Sequence, residues 1–216
     1  MNWLREFRVP LLILVFGSAI SLAAFRWDLP IRERIVAAQG PGWGKTTERK
    51  VHGFVREWGD WPPIMVAAAI GYIIARVRRN NRWSRIILAA MAASTLAGII
   101  ANASRLTTGR TRPRESPKIE QGFYGPWHEG RLLVGVPAYN SFPSGHTATA
   151  FGFASAILYA APGWGVVAVA GAAAVAWSSI AIGAHHPSDI FVSTTLASIV
   201  GWFVWRISGR PPPRRD

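Results

Sequence analysis

Three short stretches hold the side chains most suited to chemistry: "RLTTGRTRP" at 105–113, "FPSGH" at 142–146 and "GAHHPSD" at 183–189. The first supplies Arg105, Arg110 and Arg112, whose planar guanidinium forks match the oxygens of a tetrahedral anion. The second places Ser144 and Gly145 at the start of an apolar run. There the free N–H groups of a helix N-terminus add donors, and glycine admits a close approach. Phosphate is therefore the expected substrate group. In the third, His185 and Asp189 are four residues apart, so a helical chain puts them on one face. The carboxylate then holds one imidazole nitrogen and frees the other as a nucleophile. His146, from a different stretch, is the candidate general acid for the leaving oxygen. Two histidines with separate roles suit phosphoryl transfer through a covalent phosphohistidine, with the arginines stabilising charge on the equatorial oxygens.

Simpler readings exist for each residue taken alone. A histidine at a membrane edge serves as a polar anchor, and Arg105 can snorkel to headgroups. Histidines beside an aspartate also ligate metals, but no second carboxylate and no HExxH spacing accompany these, so no metal and no cofactor are expected. The same cradle without chemistry would serve a lipid-phosphate binding or transport protein.

Positioning these stretches falls to long apolar segments. Half of the 216 residues are hydrophobic and 16% are charged, well under the roughly 25% of ordinary globular domains. Continuous apolar runs near 9–25, 62–75, 86–103, 146–161, 164–184 and 189–205 predict an all-α polytopic membrane protein with six transmembrane helices in a single domain over 1–216. The first run lacks a small-x-small cleavage site and reads as a retained helix. Trp27, Trp61, Trp83, Trp164, Trp202 and Trp205 fall near run ends, where indoles favour the headgroup layer. Segment 26–61 mixes seven Lys/Arg with five Asp/Glu and recurrent apolar residues, broken by "QGPGWG" at 39–44. One or two interfacial amphipathic helices are expected there, with a solvated loop as the alternative for its first half. The proline-rich tail, 207–216, reads as disordered.

The loop "RVRRNNRWSR" carries five arginines and no acid, which places it in the cytoplasm by the positive-inside rule. Alternation then puts both termini in the cytoplasm and all three chemical stretches on the outer face of a cell (inner) membrane. A net charge of +13 would suggest nucleic acid in a soluble chain. Here the basic residues lie between apolar runs and point to topology and anionic headgroups instead. With no cysteine, structural disulfides and thiolate metal sites are excluded.

Taken together and in order, the stretches resemble the type 2 phosphatidic acid phosphatase superfamily, integral-membrane lipid phosphatases with soluble relatives among acid phosphatases and vanadium haloperoxidases. That family's pattern is a basic residue, six residues and Arg-Pro; then Pro-Ser-Gly-His; then Ser-Arg, five residues, His, three residues and Asp. The matching positions are Arg105 through Arg112-Pro113, Pro143-Ser144-Gly145-His146, and Ser178-Ser179 through His185 and Asp189. The resemblance implies a metal-independent enzyme with His185 as nucleophile, Asp189 as its orienting partner and His146 as general acid. Arg105, Arg112, Ser144 and Gly145 would form the phosphate cradle. Implied substrates are lipid phosphates or diphosphates such as undecaprenyl diphosphate, phosphatidate, phosphatidylglycerophosphate and lipid A phosphates. Two positions depart from the pattern. Arg105 replaces a lysine, and Ser179 stands where an arginine is usual, so one cation is missing unless Arg110, Arg114 or Lys118 supplies it.

Overall fold

The computed structural model describes residues 7–39, 42–116 and 118–208, so the predicted tail beyond residue 208 lies outside the described residues. Each of the six apolar runs is a helix. In chain order the helices are α1 (Arg8–Ala38), α2 (Thr47–Glu57), α3 (Trp61–Val77), α4 (Asn81–Thr108), α5 (Gly145–Ala160), α6 (Pro162–Ala181) and α7 (Pro187–Ser208). Their boundaries follow local chemistry. The Asn80 side chain accepts from Trp83 N at 3.1 Å to start α4. Proline in the first turn opens α3, α6 and α7, where a missing N–H costs nothing, and Gly109, in the left-handed region, ends α4.

By length and composition α1, α4, α6 and α7 can each cross a membrane, and α2 with α3, bent by 59° at their junction, pass together as a fifth span. The sixth run, α5, has 16 residues, short of the roughly 20 a perpendicular span needs. It is the centre of the bundle, packed against α4, α6 and α7, while α1 packs on α7, α3 on α4 and α2 on α6.

The core is built from small residues, among them Ala90, Ala93, Ala97, Ala101, Ala148, Ala156 and Ala197. Larger apolar side chains such as Leu12, Phe16, Val66, Ile73, Val166 and Val167 point outward. That inversion suits lipid, where close helix approach rather than water exclusion drives association. Gly152 shows how close: a Cβ there would lie 2.8 Å from the Ala93 carbonyl oxygen of α4.

Two expectations change. Residues 26–38 form neither a separate interfacial helix nor a loop but continue α1 without a break through Pro30. The charges that end the apolar run do not end the helix, because Asp28 turns inward, 3% exposed, and is neutralised there. Trp202, expected at a boundary, is buried against Phe203. The second half of the segment does contain an amphipathic helix, α2, with Val51 and Phe54 exposed.

Candidate active site

All three chemical stretches meet at one end of the bundle, cross-linked by backbone and side chain. Arg105, in the last turn of α4, donates from Nε to the Pro143 carbonyl at 2.8 Å and from Nη1 to Asn102 at 3.0 Å. The Ser144 N–H lies 3.5 Å from the Asp189 carbonyl, and the Arg114 N–H donates to the Gly183 carbonyl at 3.0 Å. Ser144 caps α5: its Oγ accepts from Thr147 N at 3.4 Å and Thr147 Oγ1 at 2.9 Å. Gly145 lets the Arg105 guanidinium lie against the backbone: a Cβ there would stand 2.9 Å from Arg105 Nη2 and push it aside. Arg112, on the loop after α4, donates from Nη2 to the Asn140 carbonyl at 3.3 Å.

His185 is fully buried. Its Nδ1 lies 2.7 Å from the Ser141 carbonyl oxygen; a carbonyl only accepts, so the proton sits on Nδ1 and the Nε2 lone pair is free. Asp189 Oδ2 is 3.6 Å from Nδ1, too long for a hydrogen bond. Asp189 is the expected orienting partner, but it is the Ser141 carbonyl that holds Nδ1 directly. Asp189 acts around it, accepting from Ser141 Oγ at 2.6 Å and from the His186 N–H at 2.8 Å. Burial pushes the His185 pKa down to about 3, with Arg105 and Arg112 adding to the fall against the raising effect of Asp189. At neutral pH the imidazole is uncharged, as a nucleophile must be.

His146, in the first turn of α5, presents Nδ1 to Arg56 Nη2 at 3.2 Å and Nε2 to Asp60 Oδ1 at 2.7 Å. The contact with His146 holds the Asp60 carboxyl below the ordinary carboxylate range. Among the described residues, eight buried side-chain nitrogens have no hydrogen-bond partner: Arg56 Nε, Arg105 Nη2, Arg112 Nε, His146 Nε2 (beyond its ion pair with Asp60), His185 Nε2 and His186 Nδ1 around this centre, and Arg32 Nε and Arg85 Nε besides. The Arg112 pKa falls to about 10, first through burial and then through neighbouring Arg114, Arg105 and Arg56. These guanidiniums are held close together against their mutual repulsion.

Arg110 does not join them. Its Nη1 donates to Asp189 Oδ1 and, at 2.7 Å, to Ser188 Oγ; its Nη2 donates to Asp28 Oδ2 at 2.5 Å. Phe25, Phe123 and Phe142 cover the guanidinium. The arginine expected to bind phosphate is a buried structural tie between α1 and the start of α7, because two carboxylates already satisfy it. Neither other stand-in for the missing cation is better placed: Arg114 Nε pairs with Glu115 at 3.2 Å, and Lys118 is exposed. His186 turns away toward the Thr111 carbonyl and Gln121 Oε1. Phe123 closes over Arg110, while the rings of Tyr124 and His128 meet at 4.3 Å at the short hairpin of β1 (Trp127–His128) and β2 (Arg131–Leu132).

Sequence reasoning missed Arg56, Asp60, Ser141 and Asp28. Asp28 carried a signal, being an acid at the end of an otherwise apolar helix. Arg56 and Asp60 carried a weaker one, the four-residue spacing His52, Arg56, Asp60 on an amphipathic segment. Ser141 acts mainly through its backbone and carried none.

An all-α membrane bundle with an Arg/His/Asp centre at one end is the class that the fold and these residues define. The chain belongs to the PAP2 superfamily, whose family model matches residues 83–212. It is 30% identical over 106 residues to a lipid A 1-phosphatase of Rhizobium etli, covering 49% of this chain and 42% of that protein. It is 29% identical over 106 residues to a lipid A 1-phosphatase of Rhizobium johnstonii, covering 49% and 40%. The chain thus spans about two fifths of the length of these curated relatives. Its fold is similar to the crystal structure of a transmembrane PAP2 type phosphatidylglycerolphosphate phosphatase from Bacillus subtilis, with a TM-score of 0.62 and 16% identity over 95% of this chain and 98% of that one.

Proposed function

We propose that the protein is a lipid phosphatase that hydrolyses a phosphate monoester or diphosphate of a membrane lipid at the extracytoplasmic face, without a metal, through a phosphohistidine. The single observation that carries this is the His185 tautomer: Nδ1–H fixed on the Ser141 carbonyl and a buried, unprotonated Nε2 beside unpartnered Arg105 and Arg112 nitrogens. In the first step Nε2 forms a bond to phosphorus, the bond from phosphorus to the lipid oxygen breaks, and His146, protonated once Arg56 turns from its Nδ1 to the phosphate, gives its proton to that oxygen. In the second, water attacks phosphorus, His146 takes a proton from it, and the N–P bond breaks to release phosphate. Arg105, Arg112 and the backbone at Ser144 and Gly145 hold the equatorial oxygens. The site's position at the end of an apolar bundle suits a substrate whose tails stay in the bilayer, and the likeness to lipid A 1-phosphatases supports a lipid phosphate as the substrate class.

The test is phosphate release by detergent-purified protein in EDTA across a panel of lipid mono- and diphosphates, with His185→Ala alongside. Turnover that disappears in the variant is the expected result. Activity that requires added divalent metal, or a parent that binds lipid phosphate and turns none over, overturns the reading.

A further inference from the structure

Position 179 holds a serine where the third stretch of the family pattern has an arginine, and that serine is buried with its Oγ donating to the Val175 carbonyl at 3.0 Å. It offers the centre no charge. The element lying against this part of α6 is α2, and its inward face carries His52 and, one turn on, Arg56. His52 Nδ1 is 3.1 Å from the Oγ of Ser178, the neighbour of Ser179. Arg56, four residues later on the same face, therefore enters the site from beside position 179, where its Nη2 reaches His146. The α2–α3 corner that carries it is tied to α5 by the Thr149 hydroxyl, which donates to the Gly59 carbonyl.

Arg56 Nε is buried and has no hydrogen-bond partner among the described residues, as with Arg105 Nη2 and Arg112 Nε. A guanidinium with a buried unsatisfied donor is costly unless something negative comes to it. Its closest counter-charge, Asp60, is engaged at His146 Nε2.

We propose that Arg56 is the phosphate-binding cation that position 179 does not supply, delivered from α2 outside the three motif-bearing stretches. The inference deepens the phosphatase reading, resting on it for the identity of the anion. A loop-and-helix segment ahead of the motifs has taken over one arm of the cradle, so the catalytic set of this chain is split between its two halves.

The deciding experiment measures binding of inorganic phosphate to the full-length protein in detergent, with lipid-phosphate kinetics on the same samples. Arg56→Gln, Arg56→Met, Arg56→Lys and the exposed Lys50→Gln on the same helix are compared with the parent. Removing the charge is expected to weaken phosphate binding at least tenfold and to lower kcat/KM by about 10²–10³, the usual loss for one donor to a transition-state oxyanion. Arg56→Lys should fall between, since a point charge replaces a fork, and Lys50→Gln should match the parent. The Met variant keeps the aliphatic stem should the Gln variant not fold. Equal phosphate affinity in the parent and the charge-removing variants overturns the proposal, as does a parent that binds no phosphate. Phosphate binding that depends on Arg56 in a protein that turns over no lipid would leave the cation assignment standing and the phosphatase reading overturned.

Discussion

Two clusters built on arginine, one around buried Arg110 and one formed by the partly buried Arg56, Arg105 and Arg112, lie within one end of the same bundle, and they differ in what their nitrogens touch. Arg110, 6% exposed, is closed off by Asp28, Asp189, Ser188 and three phenylalanine rings. Arg56, Arg105 and Arg112 each keep a buried nitrogen without a partner among the described residues and crowd one another with like charge. The first arrangement is self-sufficient: two carboxylates surround one guanidinium, and nothing further is needed. The second is complete only with an anion. Identical side chains, a few residues apart in "RLTTGRTRP", are thus divided between holding the fold and holding a ligand, and the division is made by whether a carboxylate reaches them first.

The largest effect should come from breaking the closed cluster. Arg110→Met leaves Asp28 and Asp189 buried without a cation, and removing one partner of such a network costs about 3–5 kcal/mol. The thermal midpoint in detergent should fall steeply. Arg105→Ala should do the reverse: a smaller fall in midpoint, since losing the hydrogen bonds to Pro143 and Asn102 is offset by removing a repelling charge, but a loss of kcat/KM of about 10²–10³. Equal midpoints for the two variants would erase the distinction between the clusters.

The same division explains what could and could not be read from the chain. The apolar runs and motif spacing sufficed for the helices and for bringing Arg105, Arg112, His146, His185 and Asp189 to one end, because helix formation and the order of the motifs are local properties of sequence. The fate of Arg110 is not local. It depends on Asp28, 82 residues away, in a helix that runs on past its charges to Ala38. Arg56 and Asp60 are also set by packing of α2 on α6, and the four-residue spacing they share with His52 is equally that of the solvated face of an amphipathic helix until that packing is known. The Ser141 carbonyl that fixes the His185 tautomer is a backbone atom, which residue identity cannot reveal.

A smaller effect sharpens the open cluster. Asp60 is an anion inside it, 2.7 Å from His146 Nε2 and half exposed. An adjacent carboxylate favours the imidazolium needed to protonate a leaving oxygen. Asp60→Asn should therefore move the alkaline limb of the kcat profile to lower pH, with stability nearly unchanged. An alkaline limb that stays in place would make Asp60 a structural contact only.

The smallest effect separates His185 from both clusters. Its pKa is near 6.5 unfolded and about 3 folded, so between those values the unfolded chain binds the extra proton. Stability contributed by the neutral, buried imidazole is fully present above about pH 6.5 and is lost as pH falls. Between pH 7 and pH 5.5 the loss from this residue should be about 1 kcal/mol. His185→Asn keeps a donor near the Nδ1 position for the Ser141 carbonyl but cannot titrate. Its thermal midpoint should drop less than the parent's over that interval, although its midpoint at pH 7 is lower because a ring has been removed from a packed site. A variant whose midpoint tracks the parent's across the interval would show that His185 takes up its proton in the folded state, and with it the free Nε2 lone pair on which nucleophilic attack depends would be gone.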